Sequence, residues 1–427
     1  MTSQHLDLPP VELARLRRRT LRSLVAGVAL GSTGHIAAAT VATIVAQDIA
    51  GGTAWSGAPG ATVVLGAAIG AVTLSQIMVR SGRRTGLAAG YGVGVLGALI
   101  ATWAVVAVSF PMLLLGTFLI GFGNASNQLS RYVAADLYPA DRRASALGTV
   151  VWGATIGAVI GPNLAAPAST LAAALGLPDL AGAYLVPVVF VGVAALLTFV
   201  ALRPDPYALA DTSSVHDRVD RERGTALALS SVLRRPNVPV AIVALVTVMV
   251  VMVLIMTMTP LHMTEHGHDI AAVGLVLSGH TFGMYGLSPI SGRLTDRFGS
   301  VPVILAGLAT SAAAAILAAL APPQGGVLLF VALFLLGYGW NLGYVAGSAL
   351  LTQDLSLAER TRLQGLTDGL IWSSAAAASL GSGVVVAAAG YATLGLLGAA
   401  LVVVPTLLVV ARRTAVQDHA AAGSSGA

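Results

Sequence analysis

Apolar runs of 17 residues or more, separated by short polar breaks, limit what this chain can fold into more than any other feature. Twelve such runs lie at about 24–46, 61–79, 86–109, 111–133, 145–167, 181–201, 237–260, 271–291, 300–321, 326–350, 362–388 and 391–411. Crossing a hydrocarbon core takes about 20 apolar residues, so each run predicts one crossing. Runs this continuous suit helices, which satisfy their own backbone hydrogen bonds in lipid, rather than the short alternating strands of a barrel. Composition agrees: 56% of the 427 residues are hydrophobic and 10% are charged, against about 25% charged in a soluble domain. The expected fold is an all-α membrane protein of twelve transmembrane helices, which excludes a soluble enzyme. The chain has no cysteine, which removes thiolate metal sites, disulfides and cysteine nucleophiles.

The 23 positive residues are all arginine, and their placement orients the chain. They fall at the N-terminus (Arg15, Arg17, Arg18, Arg19, Arg22), in alternate and central loops, at the end of the fourth run (Arg131) and in the tail (Arg412, Arg413). The intervening loops at 47–60, 168–180, 261–270, 322–325 and 389–390 hold no arginine, and Asp48, Asp179, Glu265 and Asp269 instead. By the positive-inside rule both termini are expected in the cytoplasm. The formal charge of +5 is thus spread over inner loops and predicts no nucleic-acid partner. The first run is too long for a secretory signal and reads as a permanent helix. Residues 202–236, with six arginines and five acids, read as a cytoplasmic linker between an N-terminal bundle, 1–201, and a C-terminal bundle and tail, 237–427.

The two halves repeat one another. Asp136-Leu137-Tyr138-Pro139-Ala140-Asp141-Arg142 faces Asp354-Leu355-Ser356-Leu357-Ala358-Glu359-Arg360 at an offset of 218, Gly121-Phe122-Gly123 faces Gly337-Tyr338-Gly339 at 216, and Arg80-Ser81-Gly82 faces Arg297-Phe298-Gly299 at 217. Parallel six-helix repeats mark transporters in which two bundles rock around a midplane site.

The loop after the eighth run reads Gly292-Arg293-Leu294-Thr295-Asp296-Arg297-Phe298-Gly299. It resembles the G-x-L-x-D-R-x-G signature that the major facilitator superfamily carries between helices 2 and 3 and between helices 8 and 9. Its glycine permits close helix contact, its aspartate suits the positive N-terminus of a facing helix, and its arginine pairs with an acid. The resemblance makes Asp296 a gating residue expected near 144–148, with Asp136 and Asp354 in the matching inner loops. The first-half copy has Ser75 at the glycine position and Val79 at the aspartate position, and keeps Arg80, Gly82, Arg83 and Arg84. An intact lock is expected only from the second copy.

In the fifth run Gly148, Gly157, Gly161 and Pro162 resemble the signature of the drug/proton antiporter branch of that superfamily, with Ala165-Ala166 in place of its trailing glycines. Gly153, Gly157 and Gly161 stack on one helical face, and Gly279 with Gly283 are expected to answer them from the eighth run; plain helix packing is the other reading. The branch's arginine in the fourth run is missing, since Thr117 stands four residues before Gly121. That run offers Asn124, Asn127, Gln128 and Arg131, one helical face that suits a watery cavity or interhelical hydrogen bonds. Arg131 can equally anchor at the membrane surface. Asp368 is the acid well inside a run, either a proton carrier or a partner of Arg80 and its neighbours. His35 and His280 are the other titratable groups within runs, as shuttles or packing residues, and Asn341 is a further candidate cavity residue.

Gly92-x-Gly94-x-x-Gly97 matches a dinucleotide pattern but lies inside an apolar run with no preceding strand. His262, His266 and His268 with Glu265 and Asp269 have partial metal spacing, interrupted by Gly267. No metal, cofactor or catalytic set is expected. The combined expectation is a proton-coupled secondary transporter in a bacterial inner membrane, a monomer exporting small, partly apolar compounds. The alternatives are an importer of a polar metabolite or a non-transporting membrane receptor.

Overall fold

The computed structural model describes residues 9–50, 55, 57–210, 232–268, 270–322, 326–353 and 355–425. Most of the expected linker (211–231), Asp354, Asp269 and parts of two further loops (51–54, 56 and 323–325) lie outside them. The described residues form helices joined by short turns, with no strand among them. In chain order the helices are α1 Pro10–Ala50, α2 Ala58–Ser81, α3 Arg83–Val106, α4 Phe110–Asp136, α5 Arg143–Asn163, α6 Ala165–Ala174, α7 Gly182–Ala201, α8 Pro206–Leu209, α9 Asn237–Met256, α10 Thr259–Glu265, α11 Ile270–Tyr285, α12 Ser288–Phe298, α13 Ser300–Leu320, α14 Gly326–Leu350, α15 Leu357–Ala389 and α16 Tyr391–Ser425.

Ten of the described helices are long and apolar enough to cross a bilayer. Two of the twelve expected runs differ. The run at 111–133 falls in α4, which has 27 residues but a polar second half holding Asn124, Asn127, Gln128 and Arg131. The run at 271–291 is divided at Gly286-Leu287 into α11 and α12. Pro289 explains the division: it lacks an N–H for the Tyr285 carbonyl, and its ring crowds the preceding turn, so it suits the start of a new helix.

The chain forms two compact units, each discontinuous in sequence. Unit 1 comprises Met1–Leu137, Gly153–Ala210 and Gln364–Ser373; unit 2 comprises Tyr138–Trp152, Asp211–Leu363 and Ser374–Ala427. One layer of the first unit's core packs Val41, Val45 and Ala46 of α1 against Ala98, Ala101 and Ala104 of α3, Leu113 and Ile120 of α4, and Tyr184 of α7. Small residues dominate because, in lipid, helices associate by close van der Waals packing.

The sequence repeat is visible in the backbone. Gly82 joins α2 to α3 at φ +90° and donates its N–H to Met78 O at 3.0 Å; Gly299 joins α12 to α13 at φ +85° and donates to Thr295 O at 2.9 Å. Only glycine adopts that conformation without strain. The offset, 299 minus 82, is the 217 of the surrounding residues.

Candidate functional site

In the second unit α12 crosses the start of α5. The first amides of a helix have no intrahelical acceptor and carry the positive end of its dipole. The Asp296 carboxylate accepts two of them, Ala144 N at 3.1 Å and Ser145 N at 2.9 Å. Two motif glycines permit the approach. A Cβ on Gly292 would stand 2.6 Å from Ala144 O and 2.8 Å from Ser145 Cα, and one on Gly148 would strike Ser288 O. Burial pushes the Asp296 carboxyl above its ordinary range, while the Ser145 hydroxyl and the two amides pull it back. Acidification that protonates it weakens the cap. Arg297 is exposed over the Phe298 ring and makes no ion pair among the described residues, in contrast to the acid partner expected for it.

The first unit contains the matching crossing. A Cβ on Gly365 of α15 would strike Ser75 of α2, and Gly369 one turn on faces Val72 and Ala68. Gly365 minus Gly148 and Gly292 minus Ser75 are both 217, so the repeat extends to which helices touch. What differs is the aspartate. Val79 has no carboxylate to offer, and the first turn of α15 is capped instead by Ser356 and Glu359 in a reciprocal capping box.

The arginines of the first loop separate. Arg80 is exposed, whereas Arg83 is buried, pairs with Asp136 at the end of α4, and donates to Gln364 Oε1 at 2.9 Å. The amides of Arg83 and Arg84, which open α3, are both accepted at 3.1 Å by Asp205, which also caps α8 through Tyr207 N at 2.9 Å. The sequence reading missed Asp205. An aspartate directly before Pro206 was the available signal, because aspartate favours the cap and proline the first helical position. Asp205→Ala should cost about 1–2 kcal/mol, lowering the thermal midpoint of the purified chain by a few degrees. An unchanged midpoint would show that Asp205 contributes no stability there.

Deeper in the first unit, Arg131 of α4 meets Asp368 of α15. Arg131 Nη2 lies 2.6 Å from Asp368 Oδ1, and the Tyr132 hydroxyl donates to the same oxygen at 3.2 Å. The Arg131 guanidinium also donates to Gln128 O and lies 4.1 Å from the centre of the Tyr132 ring. Both charged side chains are 2% exposed, and Asp368 Oδ2 has no partner among the described residues. Two expectations are corrected by this pair: Asp368 is bound by Arg131 rather than Arg80, and Arg131 is a buried partner rather than a surface anchor.

The rest of the α4 stripe has varied surroundings. Asn127 is buried, accepts from Tyr91 OH at 3.0 Å and donates to Ser32 Oγ at 2.8 Å, which ties α4 to α3 and α1; Asn124 and Gln128 are half-buried. His35 sits over Gly123, where a Cβ would approach Nε2 to 2.9 Å, and neither ring nitrogen has a partner among the described residues. His280 is buried with Nδ1 2.8 Å from Leu333 O and Nε2 unpartnered among the described residues. Asn341 of α14 serves the division between α11 and α12: its amide donates to Met284 O and Ser288 Oγ, both at 2.6 Å, and its oxygen accepts from Ser291. It supplies a donor to a carbonyl that the interrupted helix leaves open. Gly157 and Gly161 pack on Ser32, Thr33 and Ile36 of α1, whereas Gly279 and Gly283 pack on Phe330, Phe334 and Tyr338 of α14. Pro162 stands in the last turn of α5, which ends at Asn163. Asp354 lies outside the described residues.

Membrane-length apolar helices, a duplicated set of helix crossings and a charge pair buried within the helices define a multi-pass membrane transporter. The chain belongs to the Major Facilitator Superfamily, whose sequence pattern matches residues 22–271 and 240–426. It is 36% identical over 392 residues to the MFS-type transporter YdeG of Bacillus subtilis (strain 168), covering 92% of this chain and 91% of that protein. It is 30% identical over 400 residues to the riboflavin transporter RfnT of Brucella anthropi, covering 92% and 96%. Among solved structures it resembles the transporter FucP in its outward conformation, with TM-score 0.74, 18% identity and coverage of 92% and 98%. It also resembles the human organic anion transporter MFSD10, with TM-score 0.72, 17% identity and coverage of 94% and 100%. These relatives are transporters, not enzymes.

Proposed function

We propose that this chain is a proton-coupled secondary transporter that exports small, partly apolar compounds by alternating access. In this reading the halves 1–201 and 237–427, joined by the linker 202–236, rock around a site between them. The chain crosses a bacterial inner membrane twelve times, with both termini cytoplasmic, and works as a monomer. The observation that carries the reading is the buried Arg131–Asp368 pair with one carboxylate oxygen unpartnered among the described residues. A carboxylate inside a membrane helix exists either paired as an anion or neutral with a proton, and alternating between the two couples proton movement to a conformational change. Asp296 on the α5 amides then favours the outward-facing state, and Gly148, Gly157, Gly161 and Pro162 keep the antiporter branch as the assignment. The second reading is an importer of a polar metabolite, and the likeness to RfnT, a riboflavin transporter, supports a substrate of that kind.

Proteoliposomes carrying an imposed pH gradient, a trapped pH dye and a compound panel that includes riboflavin separate the readings. Export coupling predicts movement of a partly apolar compound against its gradient with protons flowing the other way. Riboflavin moving together with protons would select the second reading, and transport indifferent to the pH gradient would remove proton coupling from both.

A further inference from the structure

The start of α1 carries a feature that transport by itself does not require. α1 has 41 residues, about 60 Å at 1.5 Å per residue, which is twice the roughly 30 Å hydrocarbon core. Its apolar part begins near Ser23, so residues 10–22 project beyond the core. Within that projection Arg15, Arg18, Arg19 and Arg22 recur at i, i+3, i+4 and i+7, the spacing of one helical face, and all four are exposed. Val11 and Ala14 lie on the same face of the helix, beside the arginines. The helix is held from another side: Arg17 Nε donates to Leu209 O at 3.1 Å, and Thr20 is buried. The segment's acid is Glu12, so five arginines less one acid leave four positive charges, and none of the four stripe arginines makes an ion pair among the described residues.

We propose that this arginine face is a binding site for anionic phospholipid headgroups. Arg18, Arg19 and Arg22 lie within about 8 Å of Ser23 along the axis, close to the depth of a headgroup layer. Arg15, about 12 Å out, remains near one Debye length of the lipid surface. Guanidinium groups grip phosphate oxygens in bidentate fashion, and a row four side chains long matches a charged lipid surface better than a single soluble anion. The site is independent of the transported compound.

The full chain in micelles, titrated with phosphatidylglycerol or phosphatidylcholine and counted for retained lipid by native mass spectrometry, tests this. The wild-type chain should retain phosphatidylglycerol in preference. The variant R15Q/R18Q/R19Q/R22Q should bind it about tenfold or more weakly, since each arginine near an anionic surface contributes about a fivefold factor. Lysine at the same four positions should preserve the preference, and Arg412→Gln, at the other end of the chain, should leave it unchanged. The milder R18Q/R22Q pair gives the same reading at smaller effect if the quadruple variant fails to fold. Equal retention by the glutamine variants, no preference for phosphatidylglycerol, or displacement by millimolar inorganic phosphate would each overturn the lipid site.

Discussion

Asp368→Asn should abolish proton-driven transport while leaving gradient-free substrate exchange in place. Asparagine has the shape of the protonated acid and cannot exchange a proton, so a coupling step that uses this carboxylate stops with the site otherwise intact. The substitution also leaves Arg131 buried without its anion. Breaking one side of a buried ion pair costs about 3–5 kcal/mol, whereas replacing both partners costs far less. Arg131→Gln and Asp368→Asn should therefore each lower the thermal midpoint, and the double variant should recover much of it, a non-additivity that reports a shared interaction. Coupling and stability then separate. A double variant with restored stability and no proton-driven transport identifies Asp368 as the carrier. One with restored stability and restored coupling makes the pair purely structural and moves attention to His35 and His280.

Gly292→Val should eliminate transport without preventing insertion. The added Cβ would stand within 2.6–2.8 Å of the α5 backbone, at Ala144 O and Ser145 Cα, atoms that no side-chain rotation can move. The helices must separate, and the Asp296 bonds to the amides of Ala144 and Ser145, 2.9–3.1 Å in length, go with them. Overpacking of this kind costs about 1–3 kcal/mol, comparable to the free energy that divides two transport states. Asp296→Asn is the graded companion. It keeps a neutral acceptor but loses the charge on the helix dipole, worth about 0.3–2 kcal/mol, so transport should fall several-fold with substrate binding nearly preserved. Wild-type rates in Gly292→Val at normal expression would show that the close crossing of α5 and α12 is dispensable for the cycle.

Apolar run length against bilayer thickness was enough to set the all-helical class, because lipid leaves a backbone few other options. The arginine pattern and the 217-residue repeat were equally legible, since both are properties of sequence position alone. The repeat even located Gly82 and Gly299, whose shared positive φ demands glycine. Motif spacing likewise led to Asp296 and the first amides of α5, because a helix start attracts an anion whatever surrounds it. Partner choice was beyond its reach. That Arg131 and not Arg80 meets Asp368, that Arg83 takes Asp136, and that Gly157 packs on α1 depend on how helices are rotated and stacked, and a period of 3.6 residues leaves that rotation open. The division between α11 and α12 needed Pro289 to be weighed against a long apolar run, and Asn341 to be brought from α14 to the Met284 carbonyl. Asp205, more than 120 residues from the amides it accepts, became a cap for α3 only once the chain had folded.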